Sequence, residues 1–149
     1  MARTNDPAKR LNELIQGIDF AMLTTVRPNG TLHSRPMASQ GMDADGVIWF
    51  FSANNTDTVE AIRTSQQVNL SYSDQGAQRY VSISGYCELV RDRVKAKDLW
   101  HPEFTSWLTG GLDDPNLILL KVDVQQAEYW DRAQGRMLDI SGFASAAFD

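Results

Sequence analysis

Cysteine is nearly missing from this sequence. Cys87 is the only one, so no internal disulfide can form and no thiolate-based metal site can be assembled. Histidine is almost as scarce: His33 and His101 stand far apart, each without a second histidine or cysteine at ligand spacing, which sets a metal centre aside. No apolar run reaches the length of a membrane span, and the N-terminus MARTNDPAKR lacks the apolar core of an export signal. The expectation is a cytoplasmic protein with no membrane partner. Positive charge is also in short supply, with 14 Lys and Arg against 19 Asp and Glu, a net charge of -5 and a pI near 4.9. A sequence-independent nucleic-acid binder needs a basic face, so that class is excluded. An anionic ligand would have to be held by local donors, because the long-range field opposes it. Ser34 and Ser39 occur without the elbow pattern of a hydrolase nucleophile.

What is present fits one domain. A chain of 149 residues, 42% hydrophobic and 22% charged, has room for a single core. Asp6 and Pro7 start a helix that carries Leu11, Leu14, Ile15 and Ile18 and ends near Gly17. FAMLTTV and TLHSRPMASQ read as strands joined by the turn RPNG. Pro36 cannot donate to a ladder, so its strand is an edge or is bulged. DADG turns into VIWFFSA, and Asp57 to Glu60 resembles a capping box for a short helix bearing Val59 and Ile62. VNLSYS and RYVSISGYCELV alternate, the second placing Cys87 on a packed face with Val81, Ile83, Gly85 and Leu89. Asp92 caps a helix with Val94 and Leu99. LWHPEFTSWLTGGLDDPN then gives short helical pieces and turns, with Trp100, Phe104 and Trp107 as core or interface residues. LILLKVDV is a strand, and AEYWD continues the sheet or turns out of it.

Six or seven hairpin-like strands with three short helices predict a mainly β fold, an antiparallel barrel rather than a parallel sheet. The expected single domain spans 1–149. Its core runs from about residue 11 to 131, and residues 132–149 form a partly disordered tail with a frayed end in SGFASAAFD.

Two stretches carry possible chemistry. WFFSANNTDTVEAIR is a strand, a polar turn and a helix start, the arrangement that presents N–H groups to an anion. From Trp49 through Ile62 it has no lysine or arginine. Its hydroxyls and amides serve equally as ordinary turn residues. In LHSRPM, Arg35 is either a solvated edge-strand charge, the commoner case, or a grip on an anion. In the second case the backbone at Pro36 and Met37 would lie against a planar ring.

Taken in order, FAMLTTVRPNGTLHSRPM, VIWFFSANNTDTVEAI, VNLSYSD, YVSISGYCELVRD and LWHPEFTSWLTGGLDDPNLILLKVDVQQAEYWD resemble the FMN-binding split-barrel family typified by pyridoxamine 5'-phosphate oxidase. The last segment points to the general stress protein 26 branch. The resemblance implies a six-stranded antiparallel split barrel that forms a homodimer with FMN at the subunit interface. It further implies that Arg35 contacts the FMN phosphate, that Pro36 and Met37 run along the ring, and that Phe51 and Ser52 form an aromatic-hydroxyl pair at the phosphate. Thr56 and Thr58 would add hydroxyls there, and Trp130 would approach the flavin from the partner subunit. Thr58 and Gln40 stand where relatives carry lysines, and Leu138 stands where the oxidases carry a histidine beside Arg136. Leucine neither donates a hydrogen bond nor shuttles a proton, so efficient pyridoxamine phosphate oxidation is not expected. The functional expectation is an FMN-dependent oxidoreductase of unidentified substrate, or a stress-related protein that holds flavin without turnover. A deazaflavin or a haem is the alternative ligand.

Overall fold

The computed structural model describes residues 6–106, 108–140 and 142–143. The expectations for Trp107 and for the last six residues of the tail lie outside the described residues. Helix α1 (Pro7–Ile15) begins as its sequence dictates: the Asp6 carboxylate accepts from the Ala8 N–H at 3.0 Å, and Pro7 sits in the first turn, where its missing N–H costs nothing. Leu11 and Ile15 face the core, and the helix closes at Gln16, before Ile18.

The strands are β1 (Phe20–Val26), β2 (Leu32–Ala38), β3 (Val47–Ala53), β4 (Gln67–Asp74), β5 (Arg79–Val90), β6 (Leu117–Asp131) and β7 (Arg136–Asp139). Helices α2 (Asp57–Thr64) and α3 (Arg93–Leu99) and a 3-10 turn over Pro102–Ser106 are inserted between them. All pairings are antiparallel, and six strands follow one path in the order β2-β1-β4-β5-β6-β3. The mainly β antiparallel barrel is therefore as predicted. The ordered sheet, however, continues past Asp131. Strand β7 pairs with the last residues of β6, and Ile140 beyond it is buried in the core.

Strands β2 and β3 are the two ends of the path, so Pro36 does lie on an edge strand, where a residue without an N–H is tolerated. Met42 bridges Ile48 in antiparallel sense. Beyond that bridge no ladder joins β2 to β3 among the described residues, and the barrel is split along this seam.

Side-chain alternation builds two apolar clusters. Leu23, Ile48, Phe50, Leu70, Ile83 and Leu120 fill the barrel with Leu11 and Ile15. Val47, Trp49 and Phe51, on the other face of β3, pack outside it with Leu119, Ala96 of α3 and Phe104. Strand β3 is thus covered on both faces, which is why VIWFF reads as a continuous apolar run. Strand β6 runs for 15 residues, and its register against β5 shifts between Ser84 and Gly85, where Gln125 is an extra residue in β6. A Cβ on Gly85 would stand 2.4 Å from the Asp123 carbonyl oxygen, so only glycine fits there.

Two local expectations need correction. The cap of α2 is Thr56, whose hydroxyl accepts from the Val59 N–H at 3.3 Å. Asp57 is the first helical residue, and Glu60 pairs with Arg63 instead of closing a box. In α3, capped by Asp92 as expected, Val94 is 81% exposed and the buried residue is Ala96.

Candidate functional site

The seam between β2 and β3 collects most of the predicted site residues. At one end stand cationic side chains. Arg35 donates from Nη1 to the Thr25 hydroxyl at 3.3 Å, and its Nη2 meets His33 Nδ1. Thr25 is wholly buried, so it anchors the guanidinium from beneath. Since the arginine can only donate, His33 must offer a lone pair at Nδ1, which fixes the neutral tautomer protonated at Nε2. Burial, then Arg35 and Arg27, push the His33 pKa down, against a smaller upward pull from Asp57. Burial and Arg27 likewise lower that of Arg35, again opposed by Asp57. Arg27, His33, Arg35 and the first residue of α2 therefore share one electrostatic neighbourhood.

The strand-turn-helix stretch comes to the same end of the seam. Ser52 has the inward parity of Ile48 and Phe50, and its hydroxyl lies 3.3 Å from that of Thr56. Thr56 also donates to the Ala53 carbonyl at 3.0 Å while capping α2. Its hydroxyl is thus committed to the turn. Thr58 is only 5% exposed, whereas Asp57 before it is exposed. The helix start presents N–H groups and a hydroxyl, with one carboxylate that works against an anion.

Further along the seam is an apolar pocket of about 190 Å³ lined by Phe20, Pro36, Met37, Ala38, Gln40, Phe51, Phe104 and Leu108. Pro36, Met37 and Phe51 are thereby brought together. Phe51 is held edge-on to Trp100 and tilted against Phe104, so its ring is a fixed wall. Arg35 and Met37 belong to one face of β2 and Pro36 and Ala38 to the other. A ligand that touched all of them would lie along the strand's free edge. None of the pocket's lining side chains is ionisable.

Trp130 does not join this group within one chain. It sits near the end of β6, exposed, opposite Met137 of β7. Cys87 is fully buried, and burial with Asp123 and Glu88 nearby pushes its thiol up to about 12, which leaves it unreactive at neutral pH. The described residues hold no group of three His, Cys, Asp or Glu suited to a metal ion, and no helix among them is long and apolar enough to cross a membrane. Residue-by-residue reading missed Arg27, His33 and Phe20, whereas Phe104, expected as a core or interface residue, is buried in the outer cluster and also lines the pocket. The i, i+2 spacing of His33 and Arg35 on a strand was the available signal for one of them.

The chain as a whole is similar to known proteins. The profile of a family described as pyridoxamine 5'-phosphate oxidase like matches residues 6–149. The general stress protein 26 of Bacillus anthracis superposes with a TM-score of 0.74 at 21% identity, covering 89% of this chain and 97% of that one. A Clostridium acetobutylicum protein related to general stress protein 26 gives 0.76 at 20% identity over 95% and 100% of the two chains. The general stress FMN/FAD binding protein of Xanthomonas citri gives 0.70 at 29% identity over 85% and 89%. Protein bli-3 of Neurospora crassa is 24% identical over 129 residues, which are 80% of this chain and 62% of that protein.

Proposed function

The chain belongs to the pyridoxamine 5'-phosphate oxidase-like family, and from that premise we propose that it binds FMN in the seam between β2 and β3 and works as a flavin-dependent oxidoreductase. The observation that carries this reading is the order of groups along the seam. Cationic Arg35 with His33 and Arg27, and the Ser52–Thr56 hydroxyls, stand at one end, and a flat apolar pocket walled by Phe51 stands at the other. That order matches a ligand with a phosphate at one end and an aromatic ring at the other. The FMN phosphate carries about −1.5 to −2 charges at neutral pH, and two arginines offset by Asp57 leave a modest positive surplus to meet it.

The residues present fit the group, with two departures. The lysine that Thr58 replaces cannot be recovered by its buried hydroxyl, and Asp57 opposes the phosphate. Each charge-assisted hydrogen bond contributes about 1.5–3 kcal/mol, so binding about tenfold or more weaker than in a lysine-bearing relative is expected. When bound, flavin supplies electron and hydride transfer. The chain's own residues hold the phosphate through Arg35, present a rigid wall through Phe51 and keep water from the ring through Met37, Phe104 and Leu108.

A pocket of about 190 Å³ is small for a ligand of this size, which typically needs ~300 Å³ or more. The proposal therefore includes a homodimer whose second copy closes the pocket and brings its Trp130 toward the ring. Among the described residues, the exposed large hydrophobics Phe20, Met22, Leu32, Tyr86, Trp130 and Met137 lie on the sheet face turned away from the core. A monomer rarely leaves so much apolar surface on one face, and Phe20 also lines the pocket.

A second reading, flavin binding without turnover, draws on the absence of any ionisable side chain among the pocket's lining residues. The absorbance spectrum of the purified protein, with identification of the released chromophore, tests the shared premise, and a flavin spectrum is expected. A colourless protein that takes up no added FMN in calorimetry overturns it and turns the search to a deazaflavin. Rapid reduction by NADH or NADPH followed by reoxidation by an acceptor separates the enzyme from the holder.

A further inference from the structure

A cavity of about 750 Å³ lies between the end of β5, helix α3 and the loop that leads into β6, and it shares no lining residue with the apolar pocket of the seam. Its floor is apolar, built from Val90, Leu117 and Leu119 of the two strands, Ala96 of the helix and Leu112 of the loop. The loop is a fixed wall. The Asp114 N–H donates to the Gly111 carbonyl at 3.2 Å and the Leu117 N–H to the Asp114 carbonyl at 3.0 Å. Arg91, just past β5, ties the loop down by donating from Nη1 to the Pro115 carbonyl at 3.0 Å. Six charged side chains line the cavity, three of each sign. Each of the carboxylates already accepts: Asp92 from the Lys95 N–H, Asp114 from the Asn116 N–H, and Asp113 from Arg93 at 3.3 Å. Among the described residues, neither Arg91 nor Lys97 has a carboxylate at ion-pair distance. A guanidinium has five N–H donors and an ammonium three, so the hydrogen-bonding capacity left over here is mainly donating and cationic.

We propose that this cavity binds a small apolar molecule carrying a single carboxylate, with its hydrocarbon body on the floor of Val90, Leu112 and Leu117 and its head between Arg91 and Lys97. The site is separate from the seam and does not rest on the flavin reading. Charged side chains alone would make an ordinary solvated rim; the apolar floor beneath them is what makes this a site for a molecule with two chemistries. Its volume lies within the ~300–1,000 Å³ that holds small-molecule ligands. A planar carboxylate matches the arginine fork, and a charge-assisted bond is about twice as strong as a neutral one. A doubly charged phosphate is disfavoured, because the three aspartates around the cavity oppose a surplus of negative charge. An ammonium head would meet Arg91 and Lys97 and be repelled, and an uncharged head would gain the floor alone.

Titration calorimetry on the full chain with octanoate, octan-1-ol and octylamine tests this, since the three share one apolar chain and differ only in the head. Octanoate is expected to bind, octan-1-ol to bind about tenfold more weakly, and octylamine to give no measurable heat of binding. Lys97 is exposed, so Lys97→Glu reverses a charge without disturbing packing, and a thermal melt serves as its folding control. It is expected to weaken octanoate about tenfold and to leave octan-1-ol as in the parent. Arg91→Gln is expected to weaken octanoate in the same way, and Arg35→Ala, in the seam, to leave it unchanged. A parent that does not bind octanoate, or that binds octan-1-ol equally well, overturns the proposal. So does undiminished octanoate affinity in folded Lys97→Glu. Loss of octanoate in Arg35→Ala overturns it too, by placing the carboxylate in the seam. The absorbance spectrum of the purified protein decides the flavin reading separately.

Discussion

At the residue scale, the least expected side chain is His33. Two isolated histidines suggested nothing, since neither had a partner at metal-ligand spacing. In the fold, His33 meets Arg35: its Nδ1 and the Thr25 hydroxyl hold the two ends of one guanidinium. An arginine so held loses less rotamer freedom on meeting a phosphate. His33→Ala is therefore expected to weaken FMN about three- to tenfold and to leave riboflavin unaffected. His33→Gln, whose amide oxygen can accept from Arg35, should restore much of the loss. Parallel titrations with the two flavins check this, and equal losses for both in His33→Ala would contradict an effect routed through Arg35.

At the element scale, most of the fold was legible because local chemistry and tertiary environment agree. The strand FAMLTTV, the caps Asp6 and Asp92 and the alternation of β4 follow from turn residues and period alone. The misjudged details have physical causes. Asp57 and Thr56 both suit a helix start, and only the position of Ala53 and Ser52 decides which one caps. Strand β7 has only four residues, and it is ordered by the far end of β6, on the edge that β3 leaves free beyond Asp123. Gly85 tests how the long β5–β6 pairing is kept in register. Gly85→Ala would drive a methyl group into the Asp123 carbonyl and is expected to cost about 2–4 kcal/mol by denaturant unfolding. The turn before β3 gives a pH-dependent test. Burial raises the Asp43 pKa, but the Trp49 indole N–H at 2.8 Å, the Val47 and Asp45 N–H groups and Lys95 together outweigh it and hold the carboxyl below its usual range. A depressed pKa in the folded state contributes stability above the unfolded value that is lost as pH falls through the folded one. Asp43→Asn should therefore cost about 1 kcal/mol at pH 7, and its gap from the parent should close below pH ~4. A gap that persists unchanged in acid would show that the charge is not what stabilises the turn.

At the scale of the whole molecule, the candidate site was only half legible. Arg35, Pro36, Met37, Phe51 and Ser52 lie on two strands distant in sequence, and nothing in their spacing says that the strands are the two free edges of one split barrel. That follows from the order of the sheet, as does the exposed face that gathers Phe20, Met22, Trp130 and Met137. Met22 gives the sharpest test of the dimer. It is 40% exposed and lies on β1 between Pro36 and Ser71, outside the lining of the apolar pocket. A charge there is open to water in the isolated chain, and surface changes of this kind usually shift stability by no more than ~0.5 kcal/mol. In a dimer formed through this face the same charge would be buried without a partner, at a cost of several kcal/mol. Met22→Arg is thus expected to sediment at the 16.7 kDa of one chain where the parent sediments at twice that mass, with its far-UV circular dichroism unchanged and its melting temperature lowered only by the loss of the partner. If the second copy completes the flavin pocket, the monomeric variant should also lose FMN on gel filtration while the parent retains it. A variant that stays dimeric would remove this face as the interface. A monomer that holds FMN as firmly as the parent would instead place the whole site within one chain.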